Sequence, residues 1–320
     1  MEPFVFIVGK GRSGTTLVRA MLTSHPRLTI PPETHFIVPL ADDRRLVDGS
    51  GEFDLSAFME RLARSPGFRR MDLDTDELKR SLESSAPPDY PQAIREVFAL
   101  YARKASKDRY GDKSPGQVLQ IERLAEMFPE SVFIHVVRDG RNVLLSNLET
   151  SFGPSDVVQG AVVWKRLVRD GRRAGRLLGK DRYCEIRYED LVADPEAEIR
   201  RMSDFCGLEF DASMLRYFEN AEDLGVNATN HGNLSRPPTA GLRDWRRQMT
   251  SRQVAIFESL AGDTLSDLGY EVAGTRLLLR DRAHMSARWL SFQGRRMRWQ
   301  LQRRSRKSKG RAGVPSGTKV

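Results

Sequence analysis

Apolar residues along this chain fall into two periods. Continuous apolar runs at Phe4–Val8 and Val132–Val137 predict buried parallel strands, and Tyr183–Arg187 reads as a third strand. Apolar residues three and four apart predict helices over Leu55–Ala63, Ala93–Ala105, Val118–Phe128, Val157–Leu178 and Glu196–Phe205. Strands separated by helices make βαβ units, so the expected fold class is α/β, with a central parallel β-sheet flanked by helices. Residues 41–90 are polar and charged and contain Pro87-Pro88; they read as a helical insertion over the sheet and a candidate part of an acceptor site. Residues 220–244 are rich in Gly, Asn and Pro and read as a long loop, of the kind that forms lids or binding segments.

Composition changes this picture mainly at the C-terminus. The net charge of +9 suggests a basic protein, but residues 295–320 hold ten Lys or Arg and no acid. The rest carries 42 basic and 43 acidic side chains, which argues against a nucleic-acid-binding body. Over residues 274–304, Leu278, Met285, Trp289, Phe292 and Trp299 line one face of a potential helix, and arginines surround its second half. Such a helix packs on the body, lies on an anionic membrane surface or binds a partner. The expected organisation is one domain over 1–273, a basic amphipathic helical extension over 274–304 and a disordered tail over 305–320. No apolar run of about 18 residues suggests a transmembrane helix. The N-terminus enters a strand at once, without a signal-peptide pattern. Two cysteines, Cys184 and Cys206, make no disulfide framework, so a cytoplasmic setting is expected.

The stretch after Phe4–Val8 carries the chemistry. Gly9 to Thr16 form a glycine-rich turn between a strand and a helical pattern, in the manner of a phosphate-binding P-loop. Backbone N–H groups and the positive end of the helix dipole can wrap an anion there. The Walker lysine is missing: Thr15 holds its place, Thr16 follows, and the basic group is Arg12, inside the loop. This points to a phosphate-like ligand other than ATP or GTP. A second charged cluster ends the strand Val132–Val137. There Arg138 stands where open α/β sheets place ligands, and Ser146 lies eight residues on, in a predicted helix. An arginine fork and a hydroxyl can hold a second phosphate.

With these motifs the chain resembles sulfotransferases that use 3′-phosphoadenosine 5′-phosphosulfate (PAPS), a family with a P-loop-type sheet. Gly11-Arg12-Ser13-Gly14-Thr15-Thr16 matches the family's 5′-phosphosulfate motif, and Arg138 with Ser146 its 3′-phosphate motif. Arg187-Tyr188-Glu189-Asp190-Leu191, then Asp194-Pro195, resembles its third strand and following helix. Gly241-Leu242-Arg243-Asp244-Trp245-Arg246 resembles the late segment that closes over the nucleotide. The tyrosylprotein branch is similar through residues 12–22, His25-Pro26 and Glu33-Thr34. That resemblance implies Glu33 as catalytic base and Lys113, in Asp112-Lys113-Ser114-Pro115, as the lysine on the sulfate and bridging oxygen. It also implies that Arg138, Ser146, Tyr188 and Arg243 grip the nucleotide. His35 stands where that branch has an arginine and is an alternative base.

The implied reaction is in-line sulfuryl transfer from PAPS to an acceptor hydroxyl, or an amine, without a metal. A glycan, a lipid, a natural product and a peptide tyrosine are all open as acceptors. Each residue also has a plainer reading: Glu33 as a capping carboxylate, Lys113 as a solvated lysine, Tyr188 and Trp245 as packed aromatics. A P-loop kinase of small molecules and a non-catalytic, membrane-docked nucleotide-binding module are the competing functions.

Overall fold

The computed structural model of the chain describes residues 2–47, 50–84, 89–149, 153–154, 156–220, 232–238 and 243–274, with isolated positions at 277, 281, 282, 285 and 288. The expected helix over 274–304 lies outside the described residues except at such positions, and the tail over 305–320 lies wholly outside them. So does most of the expected loop over 220–244. The chain divides into two compact units, Met1–Asp139 with Arg166–Arg243, and Gly140–Lys165 with Asp244–Val320.

The first unit is built on five parallel strands: β1 (Val5–Gly9), β2 (Leu28–Thr29), β3 (Arg109–Lys113), β4 (Val132–Val137) and β5 (Tyr183–Arg187), in the order β2-β3-β1-β4-β5. Register places Ile7 of β1 opposite both Lys113 of β3 and Ile134 of β4. Successive side chains of β1 feed opposite cores, as the period of two dictates. Phe4, Phe6 and Val8 pack with Phe98, Phe128 and Phe133 on one face, where the Phe6 and Phe133 rings stack 5.3 Å apart. Val5 and Ile7 pack with Val18, Ile186 and Met202 on the other. Burial on both faces explains why β1 and β4 read as unbroken apolar runs. Because β3 and β4 flank β1, the strand order reverses there, and open α/β sheets place ligands at the carboxyl ends of the strands at such a point.

The helices confirm the periodicity with shifted edges. Val157–Leu178 is found as expected; Leu55–Arg64, Tyr90–Lys104 and Pro195–Phe205 differ by a few residues at their ends. Asp89 caps Tyr90–Lys104 through a reciprocal box with Gln92, which accounts for its earlier start. The stretch expected as one helix over Val118–Phe128 is a 3₁₀ segment, Pro115–Gln120, followed by the α-helix Ile121–Met127. β2 and β3 have no counterpart in the sequence reading.

The second unit contains helices Gly140–Leu148, Trp245–Gln248 and Ser251–Asp267, with the start of Val157–Leu178. Its centre is a buried ion pair, Arg141 to Glu258 at 2.7 Å. The Arg141 guanidinium also lies 3.7 Å from the ring centroid of Trp245, and Trp164 packs on Phe257. Trp245 is therefore a packed residue. Among the described residues no helix is long and apolar enough to cross a membrane.

Candidate active site

The site-bearing residues of the first unit sit at or just beyond the carboxyl ends of its strands. The glycine loop follows β1, Glu33 follows β2, Lys113 ends β3, Arg138 follows β4 and Tyr188 follows β5. The loop turns into helix α1 (Thr15–Thr23) through Gly14, whose φ of 103° is a left-handed conformation. No side chain caps the first turn of α1 and no acid lies in it, so its amides and dipole face the loop's hollow. Arg12 also has positive φ, 76°, and Ser13 donates its N–H to the Lys10 carbonyl at 3.0 Å. Ser13 and Thr15 are buried, while Gly11, Arg12, Gly14 and Thr16 are half-buried.

Gly14 is required twice. Besides the left-handed turn, a Cβ there would collide with Cδ2 of the Tyr188 ring. The same ring is engaged by Arg138, whose guanidinium carbon lies 4.2 Å from the Tyr188 centroid. Arg138 also donates to the Arg12 carbonyl at 3.4 Å. Direct contacts thus bring loop, Arg138 and Tyr188 together. The Asp139 N–H donates to Glu189 at 3.1 Å, which fixes the chain just after Arg138.

A second cluster centres on Glu33. Lys113 Nζ donates to its Oε1 at 2.6 Å, and His35 Nε2 lies 2.8 Å from its Oε2. The Lys113 side chain is 4% exposed and that of Glu33 38%. Lys113 is also 3.4 Å from the Thr16 hydroxyl, so one ammonium spans the loop and the carboxylate. Burial alone would raise the Glu33 carboxyl, but the His35 hydrogen bond and the Lys113 charge override it and hold it at about 2. Burial lowers the Lys113 ammonium, against the pull of Glu33.

Ser146 is buried on Gly140–Leu148, in the second unit. Arg243 is half-buried, and Gly241 and Leu242 of its motif lie outside the described residues. His25 is structural: Nδ1 accepts from the Arg27 N–H, which leaves Nε2 to donate to the Glu209 carbonyl at 3.0 Å. His135 is buried within β4, 2.5 Å from the Tyr183 hydroxyl. Two features were missed. Lys10 adds a third cation to the loop region, its pKa lowered by burial and by Arg12. Asp112, completely buried, accepts from the Thr34 hydroxyl at 2.7 Å and ties the Glu33 segment to β3. The only sequence signal for Asp112 was its place beside Lys113.

The residues present fit a doubly anionic nucleotide. Uncapped amides and Arg12 suit one anionic group, and Arg138, stacked on Tyr188, suits another.

Residues 3–212 match the model of the Sulfotransferase family. The chain is 27% identical over 221 residues to "Protein-tyrosine sulfotransferase A" of Caenorhabditis elegans, covering 68% of this chain and 53% of that protein. It therefore spans about half the length of that relative. It is also 27% identical to "Omega-hydroxy-beta-dihydromenaquinone-9 sulfotransferase Stf3" of Mycobacterium bovis, covering 84% of this chain and 76% of that protein. Among solved structures, a sulfotransferase domain from the Synechococcus PCC 7002 olefin synthase superposes with a TM-score of 0.56 at 25% identity, over 81% of this chain and 94% of that one.

Proposed function

The chain belongs to the sulfotransferase family, and from that premise we propose that it transfers a sulfuryl group from PAPS to an acceptor hydroxyl. The observation that carries the reading is Lys113, held between Thr16 of the loop and the Glu33 carboxylate. Its two contacts support a reading in which it would serve both a donor seated in the loop and an acceptor approaching Glu33.

When bound, PAPS supplies an activated sulfuryl group on a leaving phosphate. Gly11, Arg12, Ser13, Gly14, Thr15 and Thr16 hold its 5′ end through main-chain N–H groups, hydroxyls and the Arg12 charge. The family resemblance assigns Arg138 and Ser146 to the 3′-phosphate, and Tyr188 and Arg243 to the nucleoside. With PAPS bound, Lys113 would turn from Glu33 to the leaving oxygen and stabilise the charge that develops there. That exchange has a second effect. Paired with Lys113, Glu33 is a weak base, its carboxyl held at about 2. Released from Lys113, it becomes a stronger base for the acceptor's proton. His35 keeps the carboxylate oriented through Oε2.

The names of the two relatives specify a protein tyrosine and an omega-hydroxy quinone, both hydroxyl-bearing. The proposed acceptor is accordingly a hydroxyl on a tyrosine, lipid, glycan or small molecule. A reducing compartment suits Cys184 and Cys206, both free and buried. Contact of residues 274–304 with an anionic membrane is proposed from sequence alone. Incubation with labelled PAPS and an extract of the source cells, read by mass spectrometry for an added SO₃, tests the reaction. A labelled hydroxyl product is expected, and no transfer to any extract component would refute it.

A further inference from the structure

The segment carrying Glu33 is gripped from two opposite sides. On one side is β3: the Thr34 hydroxyl donates to Asp112, and the His35 N–H donates to the Ser114 hydroxyl at 3.2 Å. On the other side is the polar insertion that the sequence places over residues 41–90. Within it, Gly67 on the short helix Pro66–Arg69 lies flush against the main chain of Thr34. A Cβ on Gly67 would overlap the carbonyl oxygen, carbonyl carbon and Cα of Thr34, and backbone cannot swing aside as a flexible side chain can. One residue beyond the helix, Arg70 donates to the Glu33 carbonyl oxygen at 2.5 Å.

These contacts act on a turn that needs holding. His35 has a φ of 57°, a left-handed conformation that an L side chain adopts only when its surroundings impose it. The Glu33 side chain is aimed at Lys113 and His35 from within this turn. Its direction depends on the peptide planes at Glu33 and Thr34, the two that Arg70 and Gly67 touch.

We propose that Gly67 and Arg70 are positioning residues for Glu33: they fix the main chain from which the carboxylate reaches Lys113 and the acceptor. Neither touches the reacting atoms. Arg70 acts through a charge-assisted hydrogen bond to a carbonyl, and Gly67 through absence of a side chain. The insertion thereby contributes to the reaction through geometry. The catalytic consequence rests on the reading of Glu33 as the base.

The test compares Arg70→Met, Arg70→Lys and Gly67→Ala in the full chain. Hydrogen exchange is followed at the His35 amide and at the loop amides of residues 9–17. Affinity for adenosine 3′,5′-bisphosphate is measured by calorimetry, and label transfer from PAPS to the extract acceptor under single turnover. For Arg70→Met the expected result is about tenfold faster exchange at His35, as loss of a charged hydrogen bond implies, with loop exchange and nucleotide affinity unchanged. Transfer slows by about 10- to 100-fold, the scale of a catalytic group displaced by about 1 Å. Arg70→Lys recovers part of both, since an ammonium can still reach the carbonyl. Gly67→Ala reproduces the pattern more strongly. Unchanged His35 exchange in Arg70→Met overturns the proposal. So does equal loosening of the loop with lost nucleotide affinity, which would mark a general stabilising role. If the unmodified chain transfers no label, the assignment of Glu33 fails, while the exchange data still decide whether Arg70 holds the segment.

Discussion

Replacing Lys113 by Met removes the ammonium and keeps a side chain of similar length. In the intact site the Glu33 carboxyl lies at about 2 against an ordinary 4.5. At about 1.4 kcal/mol per unit this is roughly 3 kcal/mol at face value. The carboxylate is 38% exposed, so solvent screening reduces it to about 1–2 kcal/mol. The sign follows from linkage. A carboxyl depressed in the fold contributes stability above its unfolded value, and that contribution is lost as pH falls from about 4.5 towards about 2. In Lys113→Met, burial is opposed mainly by His35, with the Arg19 charge nearby, so the carboxyl moves back towards its ordinary range. The assay is a ¹³C NMR titration of the Glu33 carboxyl in both proteins, with urea unfolding at matched pH values. Acid-sensitive groups beyond the reach of the Lys113 charge are common to both proteins and cancel in the difference. Sulfuryl transfer by the variant should fall by about 10²- to 10³-fold, as for loss of one preorganised donor to a developing anion. A Glu33 midpoint still near 2 in Lys113→Met would refute the reasoning.

Glu33→Gln should lose about 10²- to 10⁴-fold in transfer rate while binding adenosine 3′,5′-bisphosphate as before; a near-normal rate would remove Glu33 as base. Gly14→Ala forces an L residue into a left-handed turn and against Tyr188. About 1–3 kcal/mol of strain should weaken nucleotide binding by about 10- to 100-fold in calorimetry, and an unchanged affinity would contradict the loop geometry. His135 is neutral in the fold, pushed from 6.5 to about 3 by burial and the Arg172 charge, whereas the unfolded chain protonates it near 6.5. Stability should therefore fall as pH drops below about 6.5, by up to about 1.4 kcal/mol per unit from this group. Urea midpoints at pH 7 and pH 5 should show the loss, and His135→Leu should flatten it.

The sequence revealed those parts of the fold where one physical demand dominates. β1 and β4 are apolar on both faces, so their pattern needs no context. β3 was invisible because its buried positions are polar. Arg109 donates to the Cys206 carbonyl, Asp112 accepts from Thr34, and Lys113 pairs with Glu33. Each bonds a partner distant in sequence, and no local pattern reports such partners. β2, at two residues, is too short for any periodicity. The same contrast holds at the site. The glycine loop and Arg138 announce themselves through local motifs, as does the Glu33-Thr34 segment. The grip of Gly67 and Arg70 on that segment exists only once the chain is folded.

The central claim is that the loop at Arg12 and the guanidinium of Arg138 receive the two ends of one bisphosphorylated adenosine. A crystal structure with adenosine 3′,5′-bisphosphate measures this directly. The account predicts the 5′-phosphate on the amides of Gly14 to Thr16 and the 3′-phosphate on Arg138. A nucleotide bound elsewhere, or one that engages the loop while its 3′-phosphate lies away from Arg138, would contradict it.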